Sequence, residues 1–507
     1  MNQFSSPTYH LTRWLFMRYL GLIYLIAFVS LGVQIIGLVG EEGILPVRSY
    51  LQAVPAQLGL KRYLLVPTLC WFNTSDAFLL FLCWGGAALA AALMAGMAPT
   101  ILCVGLWVFY LSVTEAGQTF LSFQWDTLLL ETGFVAIFIA ERHLVPRLLG
   151  KDYPSLMGIW LLRWILFRLM FESGLVKLLS GDQAWYNLTA LTYHYWTTCL
   201  PHFFSWFIHQ LPVGFHKISC FLMFVVELFL PFLIFCGRKA RGIAFMGLMA
   251  LQFIIILTGN YGFFNFLTMG LCLTLLDDEH LKRFFPLVLR QSAEAIQEEA
   301  VKTDRVRHMR AQTILLGLVG IIIIFLTSVP LYAMLTGRRF SSLPDPLIHV
   351  INFVAPLRSF NRYGLFAVMT KTRQEIIIQG SSDGQTWMDY AFRWKPQDVH
   401  KAPRWVQPHH PRLDWQMWFA ALSPYQHHPW FMKFLRQLLK GSEPVLQLLA
   451  KNPFPEEPPR YVRALFYDYT FTDWPTWQAT GAWWQRKYLG FYAPVVQLIG
   501  DSLSTPH

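Results

Sequence analysis

The chain has 507 residues, of which 54% are apolar and only 14% charged, with a mean hydropathy of +0.38. A soluble globule carries nearer one quarter charged residues, so the composition excludes one and points to a membrane protein. The net charge of +11 then reads as a matter of membrane orientation, with no nucleic-acid partner expected.

Measured against the ~20 residues that a helix needs to cross a bilayer, apolar runs fall near 19–39, 77–96, 99–114, 121–140, 158–179, 218–236, 243–258, 261–276 and 312–335. They predict about nine spans. Residues 1–276 form a helical membrane domain of about eight, 277–311 a charged linker read as a solvated cytoplasmic helix or hinge, and 312–335 the last span. The weakest members are 99–114, which is short, and 121–140, which contains Asp126 and Glu131. The first run ends at Gly40-Glu41-Glu42 without a small-residue cleavage site, so it reads as an anchor. Lys and Arg number 15 in the loops of one side and 4 in those of the other. That bias puts the amino terminus in the cytoplasm and, for an odd number of spans, everything after Leu335 outside. Most of the seven Cys fall inside predicted spans as small buried hydrophobes, while Cys70 and Cys199 share the outer side, where they can pair. Asn73-Thr74-Ser75 and Asn187-Leu188-Thr189 fit glycosylation sequons.

Within 158–179 the run carries Arg163, Arg168, Glu172 and Lys177. Arg163 and Lys177 lie near its ends and can snorkel, whereas Arg168 and Glu172 sit one turn apart near the middle and must face protein or a wet cavity. Glu227 has a depth matching Arg168 on the next span, so Arg168 between Glu172 and Glu227 is the expected cluster, with Asp126 and Glu131 as further buried acids. Such a cluster either fixes helix packing or relays protons and anchors a headgroup or client.

The outer loop 180–217 holds ten Phe, Trp or Tyr among 38 residues, with His194, His202, His209 and His216 at near-heptad spacing. Pro201 and Pro212 interrupt any single long helix, so the four imidazoles share no continuous face and no metal site is expected. The loop reads as aromatic helical pieces lying in the interface, with Trp185, Tyr193, His194, Trp196, Trp206 and His209 as a surface for lipid or an unfolded client.

Residues 336–507 change character to Pro, charge and scattered His, and predict an outward, β-rich soluble domain with some helix. Gln374–Gln379 and Thr386–Phe392 read as strands joined by Ser381-Ser382-Asp383-Gly384, Tyr461–Phe471 as a further strand, and Trp430–Leu449 as helical. Gly380-Ser381-Ser382-Asp383-Gly384 matches a hydrolase string, but a nucleophile elbow needs a helix after the turn, and a strand follows. His409, His410 and Asp414, with His427-His428, are metal-capable types in Pro-rich loops that more simply face solvent or cap turns. No Walker loop, dinucleotide fingerprint or H-E-x-x-H string occurs, and no cofactor or catalytic residue is expected.

Longer strings carry a resemblance. Phe120–Phe134 (FLSFQWDTLLLETGF), Arg163–Asp182 (RWILFRLMFESGLVKLLSGD), Leu188–Trp196 (LTALTYHYW) and Leu257–Thr268 (LTGNYGFFNFLT) resemble the lipase maturation factors. So do His409–Leu422 (HHPRLDWQMWFAAL), with Arg412, Asp414 and Trp415 beside the two His, Asn452–Pro455 (NPFP) and Tyr461–Thr472 (YVRALFYDYTFT). Gly37–Pro46 is similar to the helical region of vitamin K-dependent carboxylases. The first resemblance implies a polytopic protein that, in vertebrates, resides in the endoplasmic reticulum and helps secreted lipases assemble, with no established catalytic residues. Ser502–His507 holds no retention string and 336–507 no Cys, which suggests a bacterial plasma membrane rather than the reticulum. The expectation is a chaperone-like assembly factor for exported proteins, partnered by membrane lipids and clients. The alternative is an intramembrane enzyme acting on a lipid or quinone with Glu172 or Glu227 as proton acceptor, and transport ranks behind both.

Overall fold

A computed structural model describes residues 7–145, 149, 153–292, 306–337 and 343–505. Helices α1 (His10–Gly32), α2 (Asp76–Met94), α3 (Pro99–Ala116), α4 (Gln124–Ile137) and α5 (Leu156–Leu179) precede two short helices, α6 (Ala190–Thr197) and α7 (Phe203–His209). Then come α8 (Val213–Leu228), α9 (Arg238–Thr258), α10 (Phe264–Leu273) and α11 (Val306–Thr336). Among the described residues six helices are long and apolar enough to cross a membrane: α1, α2, α3, α8 with the turn that extends it to Phe235, α9, and the Leu316–Thr336 part of α11. The shorter α4 and α10 and the charge-bearing α5 pack into the same bundle.

Local sequence sets the ends of these helices. Ser75 and Ser155 accept the Phe78 and Gly158 amides and so cap α2 and α5, and Pro99 opens α3, where its missing N–H costs nothing. Gly86 lets α1 and α2 close on one another, since a Cβ there would come 2.5 Å from the Phe28 ring. α1 begins at His10 rather than near residue 19. Its polar first turn is buried because Asp278 accepts the His10 and Leu11 amides at 2.9 and 2.8 Å, and Arg13 meets Glu141 at 3.1 Å. The 277–311 linker is therefore anchored at its start, and its 293–305 portion lies outside the described residues.

Beyond α11 comes α12 (Asp345–Val354), an apolar helix with no buried residue, and then irregular chain that re-enters the bundle. The carboxy-terminal sheet has strands β1 (Gln374–Ser381), β2 (Met388–Asp389), β3 (Tyr461–Phe471), β4 (Trp484–Ile499) and β5 (Ser502–Ser504) in the order β2-β1-β3-β4-β5, antiparallel throughout. The β1–β2 hairpin expected from the sequence is present. Asp383 accepts the Gln385 and Thr386 amides at 2.8 and 2.7 Å, and Gly384 takes the left-handed φ of +77° that the turn requires. Helices α13 (Arg412–Ala420), α14 (Pro429–Leu439) and α15 (Trp474–Thr480) complete the domain. α14 packs Phe431 and Phe434 into a core continuous with that of the bundle.

Candidate functional site at the mouth of the bundle

The carboxy-terminal chain meets the helices where α1 and α3 end and α4 begins, and two buried charge centres form there. In the first, Arg168 of α5 pairs with Glu131 of α4, and both are 0% exposed. Arg168 also donates to the Asn361 carbonyl at 2.7 Å. Glu131 accepts the Asn361 side-chain amide at 3.0 Å and the Tyr363 hydroxyl at 2.7 Å, while Glu172 accepts the Tyr363 backbone amide at 2.6 Å. Arg358 donates to Glu115 at 2.8 Å and Trp107 to the Ser359 hydroxyl at 3.1 Å. Residues 358–364 are not helical, so their polar backbone is tolerable among helices only if protein groups answer it, as these do.

The expected arrangement, Arg168 between Glu172 and Glu227, is corrected here. Matching depth did not fix azimuth: Glu227 turns to Lys177 at 2.6 Å, and Glu131 takes its place beside Arg168. Nor do the outer cations snorkel. Arg163 is buried and donates to the Thr274 carbonyl at 2.9 and 2.7 Å, and Lys177 is held by Glu227.

In the second centre Arg412, the first residue of α13, grips Asp126 with two bonds of 2.5 and 2.7 Å, the forked geometry of a strong ion pair. Tyr110 donates to the same carboxylate at 2.6 Å, and Gln34 accepts the Arg412 amide at 2.9 Å. The His410 amide donates to Ser30 at 2.9 Å. The His410 ring lies among Phe123, Trp125 and Trp415 at 5.1, 4.9 and 5.0 Å between centroids. Burial and the neighbouring Arg412 hold its pKa well below the usual imidazole range. Burial brings the His409 imidazole down to about 4 and pushes the Asp414 carboxyl up to about 6, although the latter accepts the Trp394 and Lys395 amides, each at 2.9 Å. The reading as solvent-facing is thus overturned for His410 and Asp414, which lie buried at the junction with Arg412 and Trp415 of the same motif.

The six residues singled out in the aromatic loop are likewise not a free surface, although Tyr186, Phe204 and Phe215 of the same loop stay exposed. Trp185 and Trp206 are 2% and 0% exposed. Trp185 donates to the Phe366 carbonyl at 3.1 Å and Trp206 to the Thr472 hydroxyl at 3.3 Å. Trp196 packs on the Trp206–Tyr469–Phe471–Trp484 cluster, Tyr193 against the Trp185 cluster, and His209 against Phe471, while His194 faces the Tyr261 hydroxyl at 3.0 Å. Trp196, Trp206 and His209 pack against the sheet, which reaches back over the loop, while Trp185, Tyr193 and His194 pack on Phe366, Phe224 and Tyr261. Arg373, entering β1, donates to the Trp196 and Cys199 carbonyls, both at 3.0 Å, and pairs with Glu375 at 2.7 Å. Asn260 ties three segments together through the Leu200, Pro201 and Arg404 carbonyls at 3.2, 3.2 and 2.8 Å. Cys70 and Cys199 are separate buried thiols, and the Ser381 hydroxyl is engaged within its turn by Asp383 at 2.9 Å.

Sequence reasoning missed Asn361, Tyr363, Arg358 and Arg373, which sit in unpatterned chain. Asn260 lay within a string already singled out. The geometry provides a junction in which Glu115, Asp126, Glu131, Arg168, Glu172 and Arg412 hold two parts of the chain together.

The same strings that meet here carry the similarity to known proteins. Residues 11–283 match the family model described as the lipase maturation factor transmembrane domain, and 359–494 match the lipase maturation factor C-terminal domain. The chain is 36% identical to lipase maturation factor 2 of Homo sapiens over 98% of its own length and 84% of that protein's. For lipase maturation factor 2 of Gallus gallus the figures are 37%, 96% and 82%, and for lipase maturation factor 1 of Bos taurus 35%, 96% and 89%. No solved structure gives a significant match. An integral membrane bundle, a carboxy-terminal sheet and similarity along nearly the whole chain agree: the protein belongs to the lipase maturation factor family.

Proposed function

We propose that the protein is a membrane-embedded, non-enzymatic maturation factor for exported lipases. The observation that carries this reading is similarity along nearly the whole chain to proteins named for that role. The geometry supports it, because Glu131, Glu172 and Glu227 each accept a fixed donor from the chain and act as fasteners. On this reading α4, α5 and α10 cross the membrane with the six longer helices. The Lys and Arg bias then puts the amino terminus in the cytoplasm and the sheet outside or in the lumen.

The test is expression in cells that lack lipase maturation, with secreted lipase activity measured per unit of lipase protein. Restoration by the wild-type chain and by Glu172→Gln is expected. A wild-type chain that inserts at normal levels and restores nothing overturns the reading.

A further inference from the structure

With Trp185 and Trp206 of the aromatic loop buried, a second surface bears on the question of where a client binds. Strand β4 pairs with β3 along one side, but on its other side β5 covers only Gln497–Ile499. Trp484 donates to the Val399 carbonyl at 3.2 Å, which closes the near end. Among the described residues no strand pairs with that side between Gln485 and Phe491. The backbone groups that point to this side are a template for another strand, about seven residues and roughly 23 Å long at ~3.3 Å per residue.

The side chains mark out what the template fits. Residues 485–489 and 491 are all exposed. Neighbouring strand residues point to opposite faces, so β4 itself stands clear on both along this stretch, while Tyr469 across from Arg486 on β3 is buried. Tyr488, Leu489 and Phe491 are 51%, 47% and 56% exposed, apolar side chains open on the strand that offers the free edge. β4 carries Arg486 and Lys487 and no acidic residue. Two such edges repel one another, and Leu489 is the extra residue where the register with β3 shifts between Phe466 and Tyr467. Cations and a bulge are the means by which a sheet edge avoids its own copy while staying open to a complementary chain.

We propose that the β4 edge from Gln485 to Phe491 takes up an extended segment of the client by strand addition, the segment carrying acidic residues beside apolar ones. Main-chain hydrogen bonds supply the affinity, and the apolar patch with Arg486 and Lys487 supplies the selection. This deepens the maturation-factor reading and rests on it. It gives a mechanism suited to incompletely folded chains, which still have strands unpaired.

The probe is a fluorescein-labelled twelve-residue peptide alternating Val and Thr with two Asp, titrated by anisotropy against the purified full chain in detergent. A copy N-methylated at alternate residues and a copy with Lys for Asp run in parallel. N-methylation is expected to weaken binding at least tenfold. The R486E/K487E and Leu489→Asp variants are each expected to do the same, with R486E/K487E reversing the preference toward the Lys peptide. Equal binding of the N-methylated copy, or unchanged binding by both variants, overturns the proposal, as does wild-type self-association that the variants abolish. In the lipase assay, wild-type rescue with full rescue by both variants also overturns it. Failure of the wild type itself overturns the maturation-factor reading instead, leaving the edge to be decided by the peptides.

Discussion

At the end of the bundle where α1 begins, buried charges join helix ends that are already neighbours. Asp278 accepts the first amides of α1, Arg163 answers the Thr274 carbonyl just past α10, and Asp277 gathers Arg238 at 2.7 Å and His280 at 2.7 Å. At the mouth, where α1 ends, the charges of α4 and α5 reach Asn361, Tyr363 and Arg412, residues that belong to the carboxy-terminal chain and not to the bundle. The first kind of contact trims helices, and the second decides whether the sheet is part of the same body. The difference teaches that buried charge in a membrane bundle need not mark a path for ions or protons. Here it is the means by which a non-helical chain can be admitted.

The sharpest way to break this comparison is Arg412→Met. It leaves the Asp126 carboxylate buried with only Tyr110 as donor, and loss of one partner of a buried pair costs about 3–5 kcal/mol. A drop of that size in the stability of the purified chain is expected, together with protease release of the sheet domain. Adding Asp126→Asn to the variant should recover most of the loss. Next in size is Lys177→Met, which strands Glu227 within the bundle at a cost of about 3 kcal/mol. Because that pair joins α5 to α8 and touches nothing in the sheet, the protease pattern should stay that of the wild type while the melting temperature falls. Smaller again is Asp278→Ala. It removes the acceptor for the first amides of α1 and should cost about 1–2 kcal/mol, as lost caps do, without freeing the sheet. If Asp278→Ala released the sheet as readily as Arg412→Met, the two ends would not be distinct.

How far each region could be read from the sequence follows the same division. Spans such as Asp76–Met94 stand out because their apolar runs are long and end at a cap. α1 was placed nine residues or so too late because hydropathy counts His10, Thr12 and Arg13 as outside, although partners from Glu141 and Asp278 bury them. The charged run of α5 announced that something polar lay in the bundle. It could not announce Asn361 or Tyr363, since a loop without periodicity leaves no pattern for the acids to be matched against. β3 was legible from its alternation, whereas β4 opens with Gln485-Arg486-Lys487 and keeps no alternating face, because both faces there are open. Aromatic composition pointed to the loop at 180–217, and the structure covers Trp185 and Trp206 while leaving Phe204 and Phe215 exposed, because composition cannot say which rings another domain will cover.

The last effect is one of pH, and it belongs to the mouth. His194, His202 and His409 are each brought down to about 4 by burial, and His410 lies well below the usual range. In the unfolded chain these imidazoles take up protons near ~6.5, whereas in the folded chain His194, His202 and His409 refuse them until about 4 and His410 stays well below the usual range. Between those values the unfolded state binds more protons, so stability is lost as pH falls through 6.5 and the loss continues toward 4. Asp414 has the opposite sign: its folded carboxyl, raised to about 6 by burial, protonates before the unfolded one near ~3.9 and so adds stability as pH falls from 6 toward 4. His209 is likewise brought down to about 4 and His428 is lowered, so outside the spans the lowered imidazoles outnumber the raised carboxyls of Asp278, Asp414 and Asp468, which leaves a net decline from pH 7 to pH 5. Thermal melts of the purified chain at those two pH values should show it. His410→Phe, which fills the same aromatic box without a proton site, should make the decline shallower; an equal decline would mean that the junction does not sense protons through His410.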